Sequence, residues 1–168
     1  TNAYKYVYDN NNITFTTSNA ATLLVYRVIT IGTQPTNQTP VAPGTASFSV
    51  TASTLDAATI GYQWEKSEDD VTYTTIVGAT SSTYTTGATS YAADYGDYYR
   101  CVCSADGAAI SPTSNSARLL LTRTISISSQ PVDVTGAVGG TVQFSITADT
   151  SDSASGDITY QWQFSIDS

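Results

Sequence analysis

The chain has 168 residues, a net charge of −8, only 12% charged residues and no histidine. That acidity repels a phosphate backbone and excludes nucleic acid as a partner class; without His, no Ser/His/Asp or Cys/His catalytic set can be drawn. No apolar run approaches the roughly 18 residues that span a bilayer as a helix, so no membrane span is expected. Apolar residues make up 40% and aromatics 11%, the content of a chain that folds around a core. Threonine and serine, roughly three residues in ten, carry solubility in place of Lys and Glu. Threonine is β-branched and suits a pleated, half-wet surface, so the composition leans all-β.

Taken from the N-terminus, the chain repeats itself. Tyr4-Lys5-Tyr6-Val7-Tyr8 returns as Tyr99-Arg100-Cys101-Val102-Cys103, 95 residues on. Thr17 to Pro35 aligns without gaps on Thr113 to Pro131, 96 residues on, with Arg27 answering Arg123 and Ile31 answering Ile127. The alternating run Ala46–Ala52 returns as Val142–Ala148, and Tyr62-Gln63-Trp64 as Tyr160-Gln161-Trp162, now 98 residues on. The two extra residues fall in the turn-rich Asp149–Asp157, where a loop should take an insertion. Repeats settle the architecture before any other reading. The chain is expected to hold one complete repeat, residues 28–123, flanked by the end of a preceding domain (1–27) and the start of a following one (124–168). That arrangement, with no Met in the chain, is expected of a window cut from a longer array.

Within the complete repeat the elements are short and alternate with turn signals, the pattern of a sandwich or barrel. An edge strand is predicted at Thr30–Gln34, ended by Pro35, which cannot donate to a central ladder. Further strands are predicted at Ala46–Ala52, Ile60–Lys66, Thr72–Ile76, Thr83–Thr86, Tyr98–Ser104 and Ser116–Thr122. No segment has 3.6-residue periodicity; a single helical turn is predicted at Ala92-Ala93-Asp94, before Gly96.

These residues resemble the immunoglobulin-like Greek-key sandwich. Phe48 and Val50 look like the second strand, and Trp64 like the core tryptophan of the third. Asp94-Tyr95-Gly96-Asp97-Tyr98-Tyr99-Arg100-Cys101 looks like the corner into the sixth strand, which implies that the hydroxyl of Tyr99 ties that corner. Ala117, Leu119 and Leu121 look like the inward face of the last strand. The family's inter-sheet disulfide would need a cysteine at Val50 to meet Cys101, and the chain has valine there and Ile146 in the next copy. Trp64 is therefore expected to pack on Val50 and an unpaired Cys101. The disulfide-free form resembles tandem immunoglobulin-like repeats of bacteriophage virion proteins and bacterial surface proteins.

Candidate residues are weighed against plain structural roles. Cys101 and Cys103, two apart on one strand, lie about 6.6 Å apart with parallel Cβ vectors, badly aimed for a bridge; they read as small buried hydrophobes. The cluster Glu65, Glu68, Asp69 and Asp70 has the carboxylates of acid–base or calcium chemistry but sits on an exposed hairpin without calcium-loop spacing, and reads as a solvated turn. Asp149, Asp152 and Asp157 share one loop and could converge on calcium, although the matching loop keeps only Asp56. Tyr4, Tyr6, Tyr8, Tyr26, Tyr73, Tyr91, Tyr95 and Tyr98 could stack on sugars or build protein interfaces, and are also ordinary strand residues. Asn12-Ile13-Thr14 and Asn37-Gln38-Thr39 fit the N-glycosylation pattern, which a Thr-rich chain matches by chance. No catalytic, cofactor-binding or metal-ligating residue is assigned, and no cofactor is expected.

The junctions say more. Leu23–Ile31 and Leu119–Ile127 run from a last strand into the next first strand with no Gly/Ser linker. Extended β-branched linkers are stiff, so rod-like tandem domains are expected, with Leu24 and Leu120 facing away from their own cores as contact candidates. The expected function is a non-enzymatic structural protein that extends, decorates or assembles a phage virion (tail, fibre or capsid surface) or an extracellular filament. Its partners would be subunits of the same assembly, as a homo-oligomer, at a virion surface or outside the cell. The alternative is an adhesin module binding a host-cell glycan or receptor, which loop aromatics such as Tyr91 and Tyr95 would favour.

Overall fold

The computed structural model describes residues 25–152 and 158–166 with their surroundings, and residues 4–9 and 12–17 as strand backbone. The first two strands, β1 (Tyr4–Asp9) and β2 (Asn12–Thr17), form an antiparallel hairpin in the register Tyr4↔Thr17 to Asp9↔Asn12.

The complete sandwich begins with β3 (Ile29–Thr33). The predicted strand at Ala46–Ala52 is split into β4 (Ser47–Ser49) and β5 (Thr51–Thr54). Period-two alternation drives this run: Ala46, Phe48 and Val50 are buried while Ser47 and Ser49 face solvent. The split at Val50 marks a change of partner. β4 pairs with β8 (Thr83–Thr85), Val50 N–H donates to the Ser82 carbonyl at 2.9 Å, and β5 then pairs with β3.

The second layer is built on β6 (Gly61–Ser67), with β7 (Thr74–Thr75) on one side, β9 (Tyr98–Ser104) on the other, and β10 (Ala117–Arg118) beyond β9. Tyr91–Asp94 forms the single helical turn, α1. β7 is shorter than its predicted span because Asp69 and Asp70 draw the preceding residues into a turn. Ser116–Thr122 keeps only two residues of ladder with β9, because Leu119 bonds the corner before β9 and the backbone N–H groups of Leu120 and Thr122 bond Gln38 and Pro40. Gln38 and Val41 bridge to Leu119 and Thr122 in parallel, with Leu120 N–H donating to Gln38 O at 2.8 Å and Ala42 N–H to Thr122 O at 3.0 Å. The chain therefore leaves the first layer after β3 and joins the edge of the second, and buried Pro35 sits at that crossing, where no ladder donor is needed.

Between the layers lie Phe48, Val50, Trp64, Tyr99, Cys101, Cys103, Ala117, Leu119 and Leu121, each at most 3% exposed. Trp64 and Cys101 are direct cross-strand partners. Phe48 stacks on Tyr99 at 4.6 Å and meets Trp64 at 6.4 Å, while Tyr84 closes on both Trp64 and Tyr99. The Trp64 indole N–H donates to Ser81 O at 2.9 Å, so the ring buries its area without an orphaned donor. Two sheets enclosing a tryptophan in this strand order make an all-β, immunoglobulin-like sandwich.

The corner before β9 corrects one expectation. Gly96 N–H donates to Leu119 O at 2.8 Å and Leu119 N–H to Asp97 O at 2.8 Å. The backbone closes the corner itself, and the Tyr99 ring is committed to the aromatic core instead of to a hydroxyl tie.

The following copy is built in the same way as far as it goes. β11 (Ile125–Ser129) pairs with β12 (Thr147–Thr150) as Ile125↔Thr150, Ile127↔Ala148 and Ser129↔Thr147, with a register shift between Ile127 and Ser129. β3 and β5 pair as Ile29↔Thr54, Ile31↔Ala52 and Thr33↔Thr51, with the shift at the matching place. Every partner is displaced by 96 residues. Among the described residues no helix is long and apolar enough to cross a membrane.

Candidate functional site

The repeat junctions gather the features that sequence reasoning left unassigned. Arg27 lies just before β3. Its Nε donates to Asp56 Oδ2 at 2.6 Å, its Nη1 to the Asp106 carbonyl, and its backbone N–H to Gly107 O at 3.0 Å. The Asp56 carboxyl is held below its ordinary value, chiefly by the Arg27 hydrogen bond, and both groups are solvent-exposed. Arg123, 96 residues on, makes the matching contact with Asp152, Nε to Oδ2 at 2.9 Å. Here the pair is shielded, with side chains 15% and 6% exposed against 37% and 50% for the first.

Arg123 also meets the helical turn α1. Its guanidinium carbon lies 4.0 Å from the centre of the Tyr91 ring in α1, and Tyr91 stacks on Tyr95 at 4.7 Å. Tyr91 is thus engaged by both a guanidinium and a second ring. Around Arg27 a cavity of about 500 Å³ is lined by Val25, Tyr26, Val28, Leu55, Asp56 and Gly107. The signal for both latches was present in the sequence: Arg27 answers Arg123 and Asp56 answers Asp152 at one offset. What spacing could not show is that the loop after β5 folds back onto the junction.

That geometry also assigns the Asp-rich loop. Asp152 is bound to Arg123, a cation already supplied by the chain; Asp157 lies outside the described residues. Among the described residues no three Cys, Asp or Glu side chains gather as a metal site.

The acidic hairpin divides into separate structural roles. Glu65 pairs with Arg100, its direct cross-strand partner, at 2.8 Å. Asp69 Oδ1 accepts the backbone N–H groups of Thr72 at 2.7 Å and Val71 at 2.9 Å and the Ser67 hydroxyl at 2.9 Å. These donors, Thr72 first, draw its carboxyl down to about 2. Asp70 takes a left-handed φ of 60° and accepts from the Tyr73 hydroxyl. Tyr73 lies under the Arg100 guanidinium at 3.6 Å, and Tyr98 faces Arg118 at 5.3 Å. Neither ring presents both faces to solvent.

Sequence reasoning passed over Lys66. Its ammonium lies 2.7 Å from Asp97 Oδ2 and 3.3 Å from Asp94 Oδ1. Burial pushes the Asp97 carboxyl above its ordinary range against the pull of Lys66. Burial opposes the Lys66 charge too, but the carboxylates of Asp97 and Asp94 outweigh it and hold the ammonium above its ordinary value. The 2.7 Å approach and the one-third exposure of Lys66 favour a charged pair. It ties β6 to the α1 corner.

Cys101 and Cys103 are free and buried, and burial raises the Cys101 thiol to about 12, so neither is an activated nucleophile. Asn37 spends its side-chain oxygen on Arg118 N–H at 2.8 Å. Leu120 is half-buried. The side chains of Tyr4, Tyr6, Tyr8 and Asn12, and all of Leu24, lie outside the described residues.

A family model described as a domain of unknown function, DUF8696, matches residues 30–123. The chain belongs to the DUF8696 family. The DUF8696 match takes in nearly all of the complete sandwich and ends on the junction residue Arg123. No curated protein matches the sequence. Among solved structures the chain is similar to the N-terminal Ig1-2 module of the Drosophila receptor protein tyrosine phosphatase DLAR, at 20% identity and a TM-score of 0.43, covering 61% of this chain and 57% of that one. It is also similar to immunoglobulin domains 1–5 of Sidekick-1, at 16% identity and 0.47, covering 88% and 32%. A third similarity is to the tandem Ig repeats of Dlar, at 21% identity and 0.41, covering 74% and 66%. The chain spans less than two thirds of each of these structures.

Proposed function

We propose that the chain is part of a non-enzymatic structural protein in which immunoglobulin-like repeats follow one another as stiff units. In this reading residues 1–27 end one domain, 28–123 form the next and 124–168 begin a third. The observation that carries it is the junction: Leu121 is still in the core of one sandwich and β11 of the next copy starts at Ile125. The residues between them are held to both sides through Arg123. A chain joined this way transmits position along its length, which is what a protein that extends, decorates or assembles a filament or a virion surface requires. Contacts to neighbouring subunits of the same assembly would use the exposed strands, and the low surface charge limits nonspecific attraction.

The adhesin alternative would use the loop aromatics: Tyr91 and Tyr95 do stack at 4.7 Å and Tyr95 is 47% exposed, but Tyr91 is also engaged by Arg123.

An antibody against residues 28–123, used for immunogold microscopy of the source organism and its phage particles, tests the proposal. Label along fibres, tails, capsids or cell-surface filaments is expected. Label confined to the cytosol would overturn it.

A further inference from the structure

We infer that each repeat carries a preformed Arg–Asp receptor for the aromatic turn of the repeat before it, and that this contact sets the angle between successive repeats. The inference rests on the tandem reading above and names the surface through which it works.

The receptor half is built by residues of its own repeat. Arg27 is paired with Asp56 and bonded to Asp106 and Gly107. The flat face of a guanidinium held edge-on by a carboxylate is then presented to whatever docks there. At the next junction the same latch, Arg123 with Asp152, has the Tyr91 ring on that face. Tyr95 backs Tyr91 from behind, and Lys66 holds the corner through Asp94 and Asp97. The series Tyr95, Tyr91, Arg123, Asp152 thus crosses from one repeat to the next without a gap. Stacking and ion pairing use different parts of the guanidinium, so both constraints act together. Arg123 and Asp152 are less exposed than Arg27 and Asp56. The apolar surround of Arg27, with Val25 81%, Val28 71% and Leu55 105% exposed, suits an aromatic occupant of the same kind.

The test uses the whole chain with spin labels on cysteines introduced at the exposed positions Thr75 and Ser126, the native thiols being buried. Electron–electron resonance should give one narrow distance peak. In Arg123→Ala the population outside that peak should rise roughly fivefold, the size of effect a cation–π contact with its ion pair supports. Arg123→Lys, which keeps charge but not the planar stack, should fall between the two. Tyr91→Leu keeps an apolar side chain against the core and should broaden the peak as Arg123→Ala does. Unchanged near-ultraviolet dichroism would show that the sandwich remains folded. A narrow peak in both Arg123→Ala and Tyr91→Leu would overturn the receptor while leaving stiff repeats standing. A broad distribution in the unsubstituted chain would overturn both.

Discussion

Trp162 meets Phe144 at 6.4 Å and 45°, the same geometry in which Trp64 meets Phe48, yet Trp162 is 50% exposed and Trp64 is fully buried. The local arrangement of the two strands is thus set by the repeated sequence itself. What differs is the cover supplied by later strands, which in the complete repeat bring Tyr84, Tyr99, Cys101 and Leu119 over the tryptophan.

Acrylamide quenching should therefore resolve two tryptophan populations, one protected and one accessible. Fusing a second copy of residues 71–123 after Ser168, where the repeat would resume, should protect both. Persistent quenching of Trp162 in the fusion would show that the two copies do not share a fold.

Replacing Trp64 with Ala should cost about 3–5 kcal/mol, the range for deleting a large buried aromatic. A single domain holds only about 5–15 kcal/mol in all, and no disulfide supports the core, so the variant should lose its cooperative thermal transition. An unchanged melting temperature would contradict the core assignment.

Gly96 combines a left-handed φ of 96° with burial, and a Cβ there would lie 3.2 Å from Arg118 Nη2. Gly96→Ala should destabilise by about 1–3 kcal/mol through backbone strain. Chemical denaturation of the variant provides the check.

Acid stability should follow Asp69. Its folded value, about 2, lies below the unfolded 3.8. Its contribution is therefore present above pH 4 and lost as the pH falls toward 2. Asp97 works in the opposite sense: its folded value is raised, so protonation relieves a buried charge as the pH falls. Urea melts should weaken between pH 4 and pH 2, and Asp69→Asn should flatten that decline. A decline of the same steepness in the variant would remove Asp69 from the account.

The sandwich was legible because its information is local. Alternation placed Phe48 and Val50 inward, and the return of Tyr-Gln-Trp marked a repeated core. The strand break at Val50 and the short β10 were not, because both arise where a segment exchanges one partner strand for another. Tyr99 was assigned from the family's pattern, but its ring is enclosed by Phe48 and Tyr84 while backbone groups close the corner. The junction latch was half visible. Arg27 and Arg123 match as repeats, whereas their carboxylate partners lie 29 residues away in sequence, and of these Asp152 reads from the sequence as a calcium candidate.

Cys101 should resist iodoacetamide in the folded chain at pH 8, since burial lifts its thiol to about 12, and should be labelled only as the sandwich opens. Rapid modification of the native protein would place it on an accessible surface.

The stiffness of the junction is the central claim, and residual dipolar couplings in a weakly aligned sample test it most directly. Amides of β6 and β9 report on one repeat, and those of β11 and β12 on the next. A single alignment tensor should fit both sets with equal magnitude. Two tensors, with the second reduced by averaging, would mean that the repeats turn freely about Arg123.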